Sequence, residues 1–227
     1  MAIFAIGDLH LSLGTAKPMD IFDGWHNYTE RLESNWKAMI TDEDTVVIAG
    51  DISWAMKLEE CTADFAFINN LPGKKIILKG NHDYWWTTMS KMETFAEQNG
   101  FYTIRFLFNN CFVVDNIAIC GTRSWLFDIG QPQDEKVMNR EVGRLKASLQ
   151  AAGDMHKIVF LHYPPLYMGS RADSIIDTLN EFGVKQCFYG HLHSASVRNA
   201  VEGEQNGIEY KLISADALNF CPYKICF

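Results

Sequence analysis

The sequence predicts an α/β fold, in which short buried strands alternate with amphipathic helices. Two observations predict it: short apolar runs such as TVVIA recur along the chain, and apolar residues at helical spacing separate them. A third observation concerns organisation, because no repeat, low-complexity tract or interdomain linker interrupts the pattern. With 227 residues, 48% of them hydrophobic, the chain can bury a substantial core. A single domain over residues 1–227 is therefore expected.

The first half of the chain contains three predicted strand–helix pairs. The strands cover residues 2–7, 45–49 and 75–79. The first helix spans 28–40, with Tyr28, Leu32, Trp36 and Met39 on one stripe and Asn27 as its cap. The second is marked by apolar residues from 58 to 68 and ends before Pro72. The third runs from about 87 to 98, with Gly100 as its stop signal.

The second half begins with a predicted antiparallel hairpin. Strands at 111–114 and 117–120 flank Asp115-Asn116, a pair compatible with a tight turn. A helix over about 133–150 follows, then a strand at 158–161, a short helix near 175–182 and a strand at 186–189. The tail, residues 196–216, is expected to form a hairpin that turns across 202–207.

Charge and cysteine usage narrow the function classes. The chain has 28 acidic and 20 basic residues, a net charge of -8, and no Lys/Arg-rich run, so extended nucleic acid and anionic membranes are not expected partners. The N-terminus has no basic region before its short apolar run, which favours a cytoplasmic protein. Six single cysteines without a C-x-x-C motif favour reduced thiols. Cys221 and Cys226 could pair, but a cytosolic setting argues against it.

Five predicted strands run directly into residues able to bind a metal ion. The junctions read IGDLH, AGDIS, KGNHD, LHYPP and YGHLH. Alone, each has an ordinary explanation, such as a solvated loop, a turn or a helix cap. Together they place five of the seven histidines, with carboxylates and an amide, at strand ends, where ligands bind in α/β sheets. His26 and His156 fall outside this pattern.

The geometry of the junctions and their ligand types both favour a metal site. If the chain stays extended, the side chains of Asp8 and His10 point to the same face, and so do those of His191 and His193. Imidazole, carboxylate and amide oxygen without thiolate suit Mn, Fe, Zn or Ni, and Mn is expected to support activity.

The ordered series of motifs resembles the calcineurin-like metallophosphoesterase superfamily. The series comprises Gly7-Asp8-Leu9-His10, Gly50-Asp51, Gly80-Asn81-His82-Asp83, His162 and Gly190-His191-Leu192-His193. The resemblance implies a four-layer α/β/β/α sandwich of two mixed sheets flanked by helices, with a binuclear metal centre on loops at one edge. By position, it assigns Asp8, His10 and His193 to one metal, Asn81, His162 and His191 to the other, and Asp51 to the bridge.

Two divalent ions roughly 3.5–4 Å apart can share a hydroxide that attacks phosphorus, so the expected activity is phosphoester hydrolysis. His82 lies beside a ligand without being one, and is the candidate general acid for the leaving group. Asp83 is a candidate to orient or charge-stabilise His82, with capping of the helix near Trp86 as the alternative.

Departures from the superfamily pattern bear on the substrate. Protein phosphatases of the superfamily carry G-D-x-V-D-R-G, whereas GDISWAM lacks the second aspartate and the arginine. LHYPP is similar to the H-H-P-P segment of the cyclic-nucleotide phosphodiesterase branch, with Tyr163 in place of the second histidine. We therefore expect a phosphodiesterase acting on a small metabolite or nucleotide.

Other residues are weaker candidates for substrate contact. Trp54, Trp85 or Trp125 could form an apolar wall, and Arg123 could contact phosphate, although packing and surface roles are the alternatives. Residues 12–26 are long for a link and could form a lid. The competing functions are a catalytically silent interaction module of the same fold and a nuclease of the superfamily.

Overall fold

The computed structural model describes residues 1–126 and 135–227. Five α-helices lie in these residues: α1 (Tyr28–Met39), α2 (Thr62–Asn70), α3 (Met89–Gln98), α4 (Glu135–Ala151) and α5 (Asp173–Glu181). The strands are β1 (Ile3–Ile6), β2 (Thr45–Ile48), β3 (Lys74–Ile77), β4 (Ile104–Phe106), β5 (Phe112–Val114), β6 (Ile117–Thr122), β7 (His156–Leu161), β8 (Leu166–Tyr167), β9 (Ser170–Arg171), β10 (Gln186–Tyr189), β11 (Gly203–Gln205), β12 (Ile208–Leu212) and β13 (Tyr223–Lys224). Short 3₁₀ helices cover Leu58–Cys61 and Ser194–Asn199.

The strands form two large mixed sheets. The first has the order β13-β1-β2-β3-β4, with β13 antiparallel to β1 and the remaining pairs parallel. The second has the order β11-β12-β10-β7-β6-β5, in which the outer pairs are antiparallel hairpins and the inner pairs are parallel. Strands β8 and β9 make a separate small hairpin.

Three apolar layers hold these sheets and helices together. One cluster joins the outer face of the first sheet to α1, α2 and α3, and a second joins the outer face of the other sheet to α4 and α5. The third cluster lies between the sheets, where Val47, Ile76 and Phe160 pack. Strands β1 and β2 are buried at every residue, as expected for strands covered on both faces. The predicted α/β/β/α sandwich is thus confirmed.

Several element boundaries differ from the sequence prediction. The helix expected from residue 87 begins at Met89, with Thr88 at its N-cap position, and the helix expected from 58 begins with a 3₁₀ turn. Asn27 does precede α1, but its side chain makes no capping hydrogen bond. The tail hairpin is confined to β11 and β12, while strands β4 and β13 were not predicted. Residues 133–134 of the predicted fourth helix lie outside the described residues.

The carboxyl ends of the parallel strands of both sheets meet at one edge. The backbone of Gly7, which follows β1, donates to the carbonyl of Ile213 at 2.7 Å and accepts from Ala215 at 3.0 Å. Since Ile213 follows β12, these bonds join the two sheets at the edge where the metal-binding motifs lie. Within the described ranges, no helix combines the length and apolar character needed to cross a bilayer.

Candidate metal centre

The first two motif loops are bound to each other through their backbones. The amide of Asp8 donates to the carbonyl of Gly50 at 2.9 Å, and the amide of His10 donates to the carbonyl of Asp51 at 2.9 Å. Asp8, His10 and Asp51 have left-handed φ angles of 58°, 46° and 49°. The assumption of an extended chain at Asp8 and His10 was therefore wrong, and a coiled loop aims both side chains inward. Left-handed conformations of non-glycine residues are strained and cluster at functional sites.

Gly50 allows the second and third loops to approach closely. Its φ is +88°, and a Cβ atom there would lie 2.6 Å from the amide nitrogen of Gly80 and 2.8 Å from Nδ1 of His162. A larger residue at position 50 would separate the loops. The glycine of the second motif is thus needed for Asp51 and Asn81 to face each other.

One group of predicted ligands forms around Asp8. Nε2 of His193 lies 3.3 Å from Oδ1 of Asp8, and the Nε2 atoms of His10 and His193 are 3.3 Å apart. These three residues can each direct one ligand atom to a common point. The backbone amide of His191 donates to both oxygens of Asp8 at 3.0 Å, which fixes that carboxylate.

A second group forms around Asn81. Oδ1 of Asn81 lies 2.6 Å from Nε2 of His162 and 2.9 Å from Nδ1 of His191. Nδ1 of His162 lies 3.0 Å from the carbonyl of Ala49, which fixes the ring and leaves Nε2 facing the group. The structure therefore brings the three ligands assigned to the second metal together.

Asp51 lies between the two groups. Its Oδ2 is 3.7 Å from Nε2 of His10 and 3.6 Å from Nε2 of His162. Its Oδ1 accepts a hydrogen bond from the backbone amide of His82 at 2.7 Å. The carboxylate thus has one oxygen fixed by the protein and one directed to the space between the two groups, the position expected for a bridging ligand.

The electrostatics of the residues suit divalent cations. Burial and the nearby charge of Asp8 raise the pKa of Asp51 to about 8. Burial and the charge of His193 lower the pKa of His10 to about 3, and burial and His162 lower the pKa of His191 to about 3. Neutral imidazoles and ionised carboxylates are good metal ligands, and a cation offsets the repulsion between carboxylates that are buried close together. The residues present therefore fit two divalent ions.

Sequence reasoning missed Asp216, which holds His193. Oδ1 of Asp216 lies 2.9 Å from Nδ1 of His193, and Oδ2 accepts from the amide of Ser194 at 2.9 Å. Carboxylates that hold the far nitrogen of a metal-binding histidine fix its tautomer and orientation. A signal was available, because Asp216 ends the predicted tail hairpin, just as the other acidic motifs follow strands.

His82 lies beside the first ligand group. Its ring centroid is 5.7 Å from that of His10 and 4.6 Å from that of Trp54. Its buried Nδ1 has no hydrogen-bond partner among residues 1–126 and 135–227. Burial, together with the charge of His162, lowers the pKa of His82. Its imidazole therefore remains available for proton transfer.

Asp83 takes neither the His82-orienting role nor the helix-capping role predicted for it. It is fully buried and does not hold Nδ1 of His82, and α3 begins several residues later with Thr88 before it. Its carboxylate instead accepts from backbone amides of two loops and from an indole, at Asp51 (2.9 Å), Ile52 (2.8 Å), Ser53 (3.4 Å), Gly80 (2.7 Å) and Nε1 of Trp85 (3.0 Å). Its role is to hold the bridging and amide-ligand loops together.

The three candidate tryptophans occupy different environments. Trp54 stacks on His10 with a centroid separation of 4.8 Å, at the centre itself. Trp85 is 2% exposed and packs edge-on against Phe65, so the structure places it in the core rather than in a substrate wall. Trp125 packs against Tyr163 at 5.1 Å, and Tyr163 packs against His191 at 4.3 Å. Trp54 and Trp125 thus lie on opposite sides of the centre.

Residues 12–26 cover one side of the centre. Trp25 is buried, with its ring 5.8 Å from those of both His10 and His193. Nζ of Lys17 lies 5.3 Å from the ring centre of Trp54. The segment predicted as a lid is therefore packed onto two metal-ligand candidates.

A two-sheet sandwich with Asp, Asn and His donors grouped around a central carboxylate at its edge has the architecture of a metallophosphoesterase. The family model for calcineurin-like phosphoesterases matches residues 1–195, and the chain belongs to this family. Members of this family typically depend on two metal ions.

Solved structures agree on the fold. A phosphopantetheinyl hydrolase from Mycobacterium tuberculosis is 14% identical with a TM-score of 0.60, covering 99% of this chain and 95% of its own. A protein from Thermus thermophilus is 15% identical with a TM-score of 0.55, covering 84% of this chain and 81% of its own. A protein of unknown function from Aquifex aeolicus is 15% identical with a TM-score of 0.52, covering 98% and 95%. A search of curated proteins gives no match.

Proposed function

We propose that this protein is a binuclear metal-dependent phosphoesterase that hydrolyses a phosphodiester of a small metabolite or nucleotide. The observation that carries the proposal is the position of Asp51, whose Oδ2 lies 3.7 Å from His10 and 3.6 Å from His162, between two separate ligand groups. A carboxylate so placed can serve two cations at once. When bound, two divalent ions lower the pKa of a water and offset charge on phosphoryl oxygens.

The remaining steps belong to residues of the chain. Asn81 supplies a neutral oxygen, so the second ligand group carries less negative charge than the first. His82 has an unpartnered Nδ1 among the described residues and, in its protonated form, donates a proton to the leaving-group oxygen as its bond to phosphorus breaks. Trp54, stacked on His10 and close to His82, supplies an apolar surface for the departing group.

A diester substrate is favoured by the LHYPP segment after β7, which is similar to the H-H-P-P segment of the cyclic-nucleotide phosphodiesterase branch. His162 is followed by Tyr163, whose ring packs on His191 and on Trp125, so an aromatic surface borders the second ligand group. The structurally similar phosphopantetheinyl hydrolase is a further reason to test small-molecule phosphoesters, since its name describes hydrolysis involving a phosphopantetheinyl group. Cytoplasmic location is proposed as well, supported by six free thiols. The net charge of -8 supports a small-molecule substrate over extended nucleic acid or membrane.

The test is metal-dependent turnover. Purified protein would be analysed for bound metal, stripped with a chelator, and assayed with Mn²⁺ on p-nitrophenyl phosphate and bis-p-nitrophenyl phosphate. We expect diester hydrolysis that chelation abolishes and Mn²⁺ restores. Asp51→Asn removes the bridging charge and should lose both metal and activity, whereas Asp154→Asn, on an exposed turn before β7, should keep both. Bound metal without any hydrolysis would favour the silent interaction module, and hydrolysis of single-stranded DNA alone would favour a nuclease.

A further inference from the structure

A cluster of basic side chains surrounds a buried carboxylate beside the metal centre. Glu141 of α4 is fully buried and accepts hydrogen bonds from Nη1 of Arg144 and Oγ1 of Thr122, both at 2.6 Å. Arg123 and Arg140 lie farther from the same carboxylate, at 3.8 and 3.9 Å. Lys79 lines the same narrow pocket, whose enclosed space of about 10 Å³ holds no more than one water molecule, so an anion meets these half-buried basic side chains at its opening.

The pocket is at the same edge of the fold as the metal centre. Lys79 directly precedes Gly80 and Asn81, so it belongs to the loop that supplies the amide ligand. Arg123 follows β6, and its carbonyl accepts from the amides of His162 at 3.2 Å and Tyr163 at 2.9 Å. The pocket therefore adjoins the second ligand group through two separate loops.

The charges in the pocket are not balanced. Glu141 is the one acidic side chain among the described residues that line it, against Lys79, Arg123 and Arg144. This local excess of positive charge contrasts with the net charge of the whole protein, which is -8. In addition, the buried Nε of Arg123 has no hydrogen-bond partner in the described part of the chain. Planar guanidinium groups with unused donors recognise phosphate and carboxylate groups.

We propose that the basic side chains at the opening of this pocket, Lys79, Arg123 and Arg144, with Glu141 buried behind them, bind a second phosphate of the substrate whose phosphoester is cleaved at the metal centre. The inference rests on the proposed function, and it defines the substrate class as a phosphodiester with a further phosphate on the group held beside His162. Glu141 then has two effects: it orders the arginines, and it limits how tightly the anion binds.

The experiment compares two p-nitrophenyl phosphodiesters that differ only in a second phosphate. The readout is the ratio of kcat/KM for the two-phosphate substrate to kcat/KM for the one-phosphate substrate. Lys79→Met should lower this ratio roughly tenfold, since one charged contact is lost. Glu141→Gln keeps one acceptor oxygen but removes the opposing charge, so it should raise the ratio. Lys185→Met, an exposed lysine at the opposite end of β10, is the matched control and should leave it at the wild-type value.

Anion binding predicts that the two variants change this kcat/KM ratio in opposite directions, which a purely structural cluster does not. If the arginines serve only to neutralise Glu141, neither variant changes the ratio, and the inference is overturned. Thermal melting identifies a variant that fails to fold. Lys79 makes no ion pair with Glu141 within the described ranges, so Lys79→Met still tests the inference if Glu141→Gln unfolds.

A second measurement keeps the inference independent of the proposed function. If wild-type protein cleaves neither substrate, the proposed function fails, and calorimetric titration of the metal-loaded protein with inorganic phosphate decides the inference alone. We expect two phosphate sites in the wild type, one at the metals and one in the pocket, with the second weakened roughly tenfold by Lys79→Met. A single site, unaltered by the variant, would refute it.

Discussion

The hydrogen bond between Asp216 and His193 should control how tightly the first metal binds. Both carboxylate oxygens of Asp216 are engaged, one at Nδ1 of His193 and one at the amide of Ser194, each at 2.9 Å. Burial lowers the pKa of His193, but the carboxylates of Asp8 and Asp216 outweigh this effect and raise that pKa to about 10. With the proton on Nδ1 shared with Asp216, Nε2 offers its lone pair to the ion.

The magnitude follows from what each substitution removes. Asp216→Ala removes both acceptors and the charge, so the ring of His193 can rotate and its Nε2 becomes less basic. Loss of such a supporting partner weakens metal affinity about 10–100-fold, or about 1.4–2.7 kcal/mol. Asp216→Asn keeps one acceptor oxygen for Nδ1 and loses only the charge and the bond to Ser194. Its effect should lie at the lower end of that range.

The assay is competition for Mn²⁺ between the protein and a chromogenic chelator, with bound metal counted by elemental analysis. The matched control is Asp177→Asn, an exposed aspartate on α5. Thermal melting of the metal-free variants shows whether the fold is intact. If Asp216→Ala binds both ions with wild-type affinity, the supporting role of Asp216 is wrong. Lost stability with unchanged metal affinity would show a structural role only.

Three further outcomes follow from the site. His82→Ala should keep its metal, because its backbone bond to Asp51 remains, and lose about 10²–10⁴-fold in kcat; undiminished turnover would reject the acid assignment. Asp83→Ala should lower the free energy of unfolding by about 3 kcal/mol or more in urea, since several buried donors lose their acceptor; a value near zero would contradict this. Between pH 6.5 and 8 the metal-free protein should lose stability as pH rises, because native Asp51 and His193 keep protons that the unfolded chain has released. Thermal melting at several pH values should show this loss of stability in the metal-free protein but not in the metal-loaded protein.

The sequence predicted that the candidate ligands meet at one edge, because each follows a strand whose apolar pattern is visible in the chain. Parallel strands bring their carboxyl ends to one edge, so position along the strand was enough to place Asp51, Asn81 and His162 there. The layer arrangement came from the resemblance, and the apolar clusters of the structure confirm it.

What the sequence could not predict are the residues whose partners lie in other loops. Asp83 adjoins His82 in sequence, yet its carboxylate points to the amides of Ile52 and Gly80, because a buried carboxylate takes whatever donors the fold supplies. Glu141 reads as an ordinary polar residue of an amphipathic helix, and its burial beside β6 is a result of tertiary packing. In both cases the direction of a side chain, rather than its position in the chain, decides its role.

The strained backbone and the crowded charges at the centre have one common explanation. Asp8, His10, Asp51 and His191 all have φ between 46° and 73°, a conformation that costs of order 1–3 kcal/mol for each non-glycine residue. The hydrogen bonds that Asp83 accepts, and those between the first two loops, hold the strain in place. Because these bonds join protein groups to one another, little of the metal-binding free energy is lost in ordering the ligands. What the metal removes is the repulsion between Asp8 and Asp51, which is why its binding and the stability of the fold should vary together with pH.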